Sequence, residues 1–205
     1  MYNVSTMKSE LDNALAVVQG RIRDQFAVAF ENIYGGGMVP HRFSAANPRI
    51  DVVQLTTHDD LAKIYSGQGF YIILSDRPVD GNSCRLSFGA LRAIYRGECG
   101  TVRKRIQSHL LNSRYNAEYQ ARASRYNADP KNKGKLFYEP HWAHCIKLDA
   151  GGPSGIDINL EPHNRYSWVV LVHRMNESSQ EVRKLAELAF DDAFGHPAGS
   201  RDTKP

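Results

Sequence analysis

Two short strand-like segments, each with a glycine and a tyrosine, stand directly before a short amphipathic helix, and this order constrains the fold most strongly. Gly69–Leu74 combines aromatic and β-branched residues after a glycine, as strands do. Leu91–Gly97 is a second such segment and ends at its own glycine. Val102, Ile106 and Leu110 then recur every four residues, which is the spacing of one helix face. The pattern predicts two strands followed by a helix.

Two polar side chains of this helix are candidates for chemistry. Arg105 and His109 are four residues apart, so they share a face. At about 100° per residue, both lie at the border of the apolar stripe. A guanidinium and an imidazole are therefore expected over one cleft with the strand tyrosines Tyr71 and Tyr95.

This layout resembles the GIY-YIG nuclease family. The first motif corresponds to Gly69-Phe70-Tyr71 and the second to Tyr95-Arg96-Gly97. The arginine of the family follows the second glycine by eight positions, which is Arg105 here. A histidine four residues later, here His109, is typical of the branch that contains certain restriction endonucleases, as is the long stretch of chain between the two tyrosines.

The resemblance also implies a metal ligand. In the family, a glutamate on the helix after the third strand holds the metal, and a proline follows about ten residues later; Glu187 and Pro197 match this spacing. The asparagine that often follows this proline has no counterpart, because Ala198-Gly-Ser200 stands there. Considered alone, Glu187 is an ordinary exposed helix glutamate.

The resemblance implies hydrolysis of DNA phosphodiester bonds by in-line attack of water. Glu187 would hold one Mg²⁺ or Mn²⁺ per active site, because a carboxylate is a hard oxygen ligand. Arg105 would contact the scissile phosphate and Tyr95 would orient water or phosphate. Tyr71 is a candidate general base, and His109 would take the proton onward. How the base role divides among Tyr71, Tyr95 and His109 stays open.

The expected fold class is α/β (α+β), with a small three-stranded antiparallel sheet flanked by helices, a long N-terminal helix and large loop insertions. Apolar residues at helical spacing from about Ser9 to Tyr34 predict the long helix, which ends at three glycines. Tyr166–Val172 predicts the third and most buried strand. The sequence Ser178-Ser-Gln-Glu181 has the capping-box pattern that begins a last helix.

The expected domain organisation has two parts. Residues 1–68 form an N-terminal helical extension that packs on the core or mediates dimerisation, with an irregular connector at 38–51. Residues 69–205 form the nuclease core, with insertions at about 76–88 and 112–165. The second insertion contains His141, His144 and Cys145, which are interpreted as core residues because no second cluster of zinc ligands has matching spacing.

Basic residues follow the Arg105 helix and alternate with aromatic residues. Arg103 and Lys104, and further along Arg114, Arg122 and Arg125, are candidate contacts to the DNA backbone. A solvated helix followed by a turn at Asp129-Pro130 explains the same residues.

Composition narrows the class of protein. The 205 residues carry a formal net charge of +4, which favours a polyanionic partner such as double-stranded DNA. Three scattered cysteines suit a reducing compartment, and no apolar run has the length of a membrane span, so a cytoplasmic protein without a membrane partner is expected.

The predicted function is a metal-dependent DNA endonuclease, in particular a sequence-specific type II restriction enzyme acting as a homodimer. A nonspecific DNase toxin, a catalytically silent DNA-binding module of the same fold, and a repair or transposon-related nuclease are the alternatives.

Overall fold

The chain folds around one antiparallel sheet with helices on both faces. The computed structural model describes residues 4–41, 43, 49–135 and 156–201. The five strands lie in the order β1-β5-β2-β4-β3. The elements are α1 (Val4–Ile33), β1 (Ile50–Leu55), β2 (Gly69–Ser75), β3 (Ser87–Phe88), β4 (Leu91–Cys99), α2 (Val102–Leu110), α3 (Asn112–Ala128), β5 (Trp168–Arg174) and α4 (Gln180–Phe194).

The mixed α/β fold and the long N-terminal helix are confirmed, but the prediction of a three-stranded sheet is wrong because the sheet has five strands. The strand β1 was missed because it begins inside the segment expected to be irregular and carries polar residues at Asp51 and Gln54. The strand β3 has only two residues, too few for a pattern. The central strand is β2 rather than β5, and all seven of its residues are buried.

One face of the sheet, here called the tyrosine face, is covered by α2. Val102, Ile106 and Leu110 of this helix pack into the same buried cluster as Tyr71 and Ile73 of β2. The predicted four-residue spacing of the helix therefore corresponds to its buried side. This packing fixes the position of Arg105 and His109, which lie on α2 beside that apolar row.

The other face, here called the phenylalanine face, is covered by α1 and α4. Its cluster contains Phe30 of α1, Phe70 of β2, and Phe190 and Phe194 of α4. The rings of Phe30 and Phe70 are 5.4 Å apart between centroids, and those of Phe70 and Phe190 are 5.6 Å apart. Because side chains alternate along β2, Phe70 and Tyr71 belong to opposite faces.

A β-bulge in β4 decides which side chains of the second motif reach the tyrosine face. Ile73 of β2 pairs with Tyr95, whereas the next residue, Leu74, pairs with Ala93, so Ile94 is the extra residue. An extra residue reverses the alternation of the side chains beyond it. Tyr95 consequently packs with the cluster of the tyrosine face, and the side chain of Arg96 points towards α4.

The segment before Gly69 contributes both a helix and a strand to the fold. The second half of α1 packs along α4, and β1 pairs with β5 over its whole length. The helix ends at Gly35–Gly37, where Gly36 has a φ of 68°. The segment after Thr56 forms a 3₁₀ helix at His58–Lys63 with a capping box between Thr57 and Asp60.

The second predicted insertion begins with α3 and continues into a 3₁₀ helix at Pro130–Asn132, where a turn was expected. His141, His144 and Cys145 lie outside the described residues. The last helix begins one residue later than its capping pattern indicated, because Ser179 rather than Ser178 accepts the hydrogen bond from the amide of Val182. Among the helices of the described residues, none combines the length and the apolar character that crossing a membrane requires.

Candidate active site

The tyrosine and the glycine of the two motifs meet across the β2–β4 ladder. Tyr71 pairs with Gly97, and its phenol lies over that glycine. A Cβ atom at position 97 would lie 2.6 Å from the Tyr71 Oη and 2.8 Å from its Cζ. A side chain at position 97 would therefore displace the phenol, which explains the glycine by contact rather than by backbone conformation.

The hydroxyl of Tyr71 forms a hydrogen bond with His109. The Tyr71 Oη and the His109 Nε2 are 2.8 Å apart, and both side chains are buried. Which of the two atoms donates depends on the tautomer of the imidazole. The bond joins the central strand to the last turn of α2, which is the connection that the sequence predicted between these two residues.

Tyr95 completes a group of three rings, here called the aromatic triad: Tyr71, Tyr95 and His109. The ring centroids of Tyr71 and Tyr95 are 6.0 Å apart with an angle of 24°, and those of Tyr95 and His109 are 4.6 Å apart. Tyr95 is only partly buried, whereas the other two rings are inaccessible to solvent. Tyr95 is thus the member of the triad through which the group reaches the surface.

Arg105 supplies a positive charge beside the triad. Burial alone would lower its pKa, but the neighbouring Tyr71 and Cys99, with Tyr95, raise the pKa above its ordinary value. Cys99 lies at the end of β4, close enough to the guanidinium to influence its pKa. Arg105 is half-buried, so a fixed cation stands at the boundary between the triad and solvent.

The same surroundings disfavour ionisation of Tyr71. Burial raises its pKa well above 10, and Tyr95 raises it further, while Arg105 acts in the opposite direction. Burial also raises the pKa of Tyr95, against the effects of its hydrogen bond with Tyr71 and of the Arg105 charge. Arg105 therefore acts to lower the pKa of both tyrosines, but burial outweighs it.

Glu187 approaches this group from the other side of β4. It lies on α4, which packs on the phenylalanine face, and its Oε1 is 3.6 Å from the Arg96 Nη1. Its charge contributes to the raised pKa of Tyr95, so its electrostatic field extends around the strand to the triad. The structure brings Tyr71, Tyr95, Arg105 and His109 together on one face, and Glu187 meets them only at the edge of β4.

Arg96 is the residue that the sequence reasoning missed. Its Nε and Nη2 donate to Asp191 at 3.1 and 2.5 Å, and its Nη1 donates to the carbonyl of Arg201 at 3.0 Å. It is only 3% exposed. The sequence offered the signal, because an arginine in the middle of a buried strand requires acidic partners on the element that covers it.

The C-terminal segment runs along the free edge of β4. The amide of Gly199 donates to the carbonyl of Ile94 at 2.9 Å, and the amide of Arg96 donates to the hydroxyl of Ser200 at 2.8 Å. The sequence could not assign a role to the residues that replace the family's asparagine. Ser200 has a structural role, because its hydroxyl accepts a hydrogen bond from the backbone amide of the residue after Tyr95.

The predicted metal would have one protein carboxylate at this edge. Among the described residues, no group of three or more His, Cys, Asp or Glu side chains could hold a metal ion. Glu187 and Asp191 are one turn apart on α4 and both face Arg96. A hard divalent cation fits the carboxylate of Glu187 chemically, with water and phosphate as its remaining ligands, but Arg96 competes for the same oxygens.

The candidate DNA contacts differ in how they are held. Arg103 donates to the carbonyls of Ile64 and Ala62 at 2.7 and 3.1 Å, so it fastens α2 to the preceding turn. Arg114 forms an ion pair with Glu118 at 3.1 Å on the exposed surface of α3. Lys104 and Arg125 are exposed, and Arg122 is half-buried.

Compared with models of known protein families, with curated proteins and with solved structures, the chain gives no match in any of the three. The family assignment therefore stays a prediction from the motifs and their spacing.

Proposed function

We propose that this chain is a metal-dependent DNA endonuclease of the GIY-YIG type. The observation that supports it is the contact of Tyr71, Tyr95 and His109 beside the Arg105 guanidinium, with Glu187 at the adjacent edge of β4. Phenols and an imidazole can transfer protons, and a fixed cation and a metal-binding carboxylate can stabilise the charge that develops when a phosphodiester is hydrolysed.

Arg105 binds the scissile phosphate in this proposal. It is permanently charged and half-exposed, and it lies beside Cys99 and the triad, so a positive charge already stands where a phosphate would arrive. The N-terminal half of α2, with Lys104 exposed beside it, presents further positive charge to the DNA backbone.

The triad handles the proton of the attacking water. Tyr95 is the accessible member, so its hydroxyl receives and orients the water. Tyr71 stays protonated at neutral pH because burial raises its pKa. It therefore acts with His109 as a relay: as the Tyr71 hydroxyl accepts a proton from the side of Tyr95, it passes its own proton across the 2.8 Å hydrogen bond to the unprotonated Nε2 of His109, and the imidazole holds that proton.

Glu187 would hold the divalent cation, which supplies charge stabilisation at the leaving oxygen when bound. Arg96 positions this carboxylate, since the guanidinium joins Glu187 and Asp191 of α4 to β4. Glu187 and Asp191 are four residues apart on α4, so Glu187 lies one helical turn before Asp191.

Recognition of a short DNA site, as in a type II restriction enzyme, is the form of the activity that the motif layout favours. Two features favour a restriction enzyme: His109 follows Arg105 by four residues, and the connection between β2 and β4 is long. A nonspecific DNase toxin would use the same chemistry with no site preference.

A catalytically silent DNA-binding module is the second candidate, and two observations favour it. Tyr71 is fully buried, and Glu187 lies beside a cation of its own chain. Both features would suit residues that maintain the structure instead of binding a metal or a water molecule.

A digest of supercoiled plasmid with Mg²⁺ or Mn²⁺ separates these functions. We expect discrete fragments from the wild type, and end mapping of the fragments gives the site. Arg105→Ala and Glu187→Ala should each lower the cleavage rate by at least about 100-fold, because each removes stabilisation of the transition state, while DNA binding is largely retained.

Glu181→Ala is the matched control, since it removes an exposed glutamate from the first turn of the same helix. It should cleave at the wild-type rate. A smear in place of fragments would favour the toxin. Absence of cleavage with any divalent ion would favour the silent module, and full activity of either site variant would refute these roles.

A further inference from the structure

The first half of α1 projects an apolar surface that the rest of the described chain does not cover. The helix has 30 residues, and only its second half packs on α4. Met7, Leu11, Leu15 and Val18 are between 50% and 64% exposed. Large exposed apolar residues are thus concentrated on one segment, which is typical of an interaction surface.

These residues form a single stripe. At about 100° per residue, Met7, Leu11, Leu15, Val18 and Ile22 fall within an arc of about 80°. The same stripe continues into the half of the helix that packs on the core, where Phe26 and Ile33 belong to it. The sequence therefore specifies a buried face along the whole helix, although the fold of one chain buries only half of it.

We propose that a second copy of this chain covers the stripe, with the two α1 helices packed antiparallel around a two-fold axis near Leu15. Glu10 and Arg21 favour this orientation. They are eleven residues apart, which is three helical turns, so they lie on the same flank of the stripe. In an antiparallel pair centred between residues 15 and 16, Glu10 of each copy faces Arg21 of the other, whereas a parallel pair would not bring these flanks together.

The size of the surface sets the strength of the association. Residues 7–22 span about 24 Å at 1.5 Å per residue. Two helices in contact over that length form a small interface, below the size of most stable complexes. We therefore expect a dimer that dissociates in the micromolar range. The inference does not depend on the proposed function, since the association requires neither DNA nor metal.

Sedimentation equilibrium of the full chain, without DNA and from about 1 to 200 µM, tests the proposal. The mass should rise with concentration from 23.0 kDa towards twice that value, 46 kDa. A mass of 23.0 kDa at every concentration would overturn the proposal of a dimer. The same result is expected if the stripe binds another protein or a lipid surface instead of a second copy.

Substitutions on the two sides of α1 locate the interface. Leu11→Gln with Leu15→Gln should raise the dissociation constant at least about 100-fold, because four apolar side chains leave the interface. Glutamine has nearly the helix propensity of leucine, so circular dichroism should show an unchanged helix content. Val17→Gln with Val28→Gln is the control, since Val17 is 56% exposed like Leu15 but lies on the other side of the helix. A dimer that survives the leucine variant would place the interface elsewhere.

Charge reversal tests the orientation. Glu10→Lys alone should weaken the dimer about tenfold, because each copy then faces Arg21 with a like charge. Glu10→Lys combined with Arg21→Glu should restore the wild-type dissociation constant to within about threefold. If the double reversal is no tighter than the single one, the antiparallel arrangement is wrong.

Discussion

Each face of the sheet contains a buried tyrosine hydrogen-bonded to a histidine, and the two pairs have different surroundings. On the tyrosine face the Tyr71 Oη is 2.8 Å from the His109 Nε2, and on the phenylalanine face the Tyr34 Oη is 2.6 Å from the His173 Nε2. Tyr71 and His109 stand beside Tyr95 and the Arg105 charge. The Tyr34 pair is enclosed by rings, with Phe30, Phe43, Phe70 and Phe194 around it.

The difference shows what makes such a pair a candidate for chemistry. Burial is the cause of the raised pKa of Tyr34 and of the lowered pKa of His173, and no charged neighbour contributes to either. The pKa of Tyr71 responds to burial and also to Tyr95, Arg105 and Cys99. The hydrogen bond among phenylalanine rings links the residue after α1 to β5. The same bond beside a cation and a partly exposed phenol is placed to exchange a proton with a reacting group at the surface.

Removal of the phenolic hydroxyl from Tyr71 or from Tyr34 should give the largest difference in cleavage rate between the two faces. We expect Tyr71→Phe to lower the cleavage rate by about 10²–10⁴-fold, the usual contribution of a general acid–base group. Tyr34→Phe should cleave at the wild-type rate, because its hydroxyl lies on the face away from the triad. The measurement is the initial rate of plasmid cleavage at saturating Mg²⁺.

Both variants delete one buried hydroxyl, so each serves as the control for the other in thermal unfolding. Equal cleavage rates for the two variants would contradict the assignment of a catalytic role to the hydroxyl of Tyr71 alone. A loss of activity in Tyr34→Phe at unchanged stability would place the phenylalanine-face pair in the mechanism.

The phenylalanine-face pair should instead control stability in acid. Burial lowers the pKa of His173 from 6.5 to about 4, so the unfolded chain binds its proton more readily than the folded one. The contribution is fully present above pH 6.5 and is lost as the pH falls towards 4. The difference of 2.5 pKa values corresponds to about 3 kcal/mol in the free energy of unfolding.

Urea unfolding at pH 7 and pH 4 measures this effect. His173→Gln keeps a polar partner for Tyr34 but removes the titration. Its free energy of unfolding should therefore decrease by about 3 kcal/mol less than that of the wild type between the two pH values. If the two proteins lose stability in parallel, His173 is not neutral in the folded chain.

The sequence predicted one of these pairs and missed the other for a physical reason. Tyr71 and His109 are 38 positions apart, in segments whose strand pattern and helix spacing are each readable from the sequence. Tyr34 and His173 are separated by 139 positions, and only the position of α1 on the sheet brings them together. Arg96 was missed because its partner Asp191 lies 95 positions further along the chain, and only the packing of α4 on the sheet brings the two side chains together.

The same limit applies to the fold. Helical spacing predicted α1 and α2, and a capping pattern predicted α4. Runs of aromatic, β-branched and apolar residues predicted β2, β4 and β5, whereas β1 and β3 exist through their pairing with β5 and β4. The pKa of Tyr71 could not be predicted from the sequence. Arg105 opposes the increase, but the extent of burial, which dominates that pKa, depends on how the whole sheet is covered.

The smallest predicted effect is a coupling between Gly97 and the phenol above it. Gly97→Ala should destabilise the fold by about 1–3 kcal/mol, because its Cβ would lie 2.6 Å from the Tyr71 Oη. In the Tyr71→Phe background the closest of these contacts is absent, although the ring carbon at 2.8 Å remains. The cost of Gly97→Ala should therefore fall by about 0.5–1 kcal/mol in that background.

Tyr34→Phe removes the equivalent hydroxyl on the other face, so it should leave the cost of Gly97→Ala unchanged. Urea unfolding of the four single and double variants measures both couplings. A coupling of equal size with Tyr34 would mean that Gly97→Ala loosens the sheet as a whole. A coupling with Tyr71 alone would show that the glycine of the second motif exists to admit the tyrosine of the first, which is the local packing that makes the tyrosine face different.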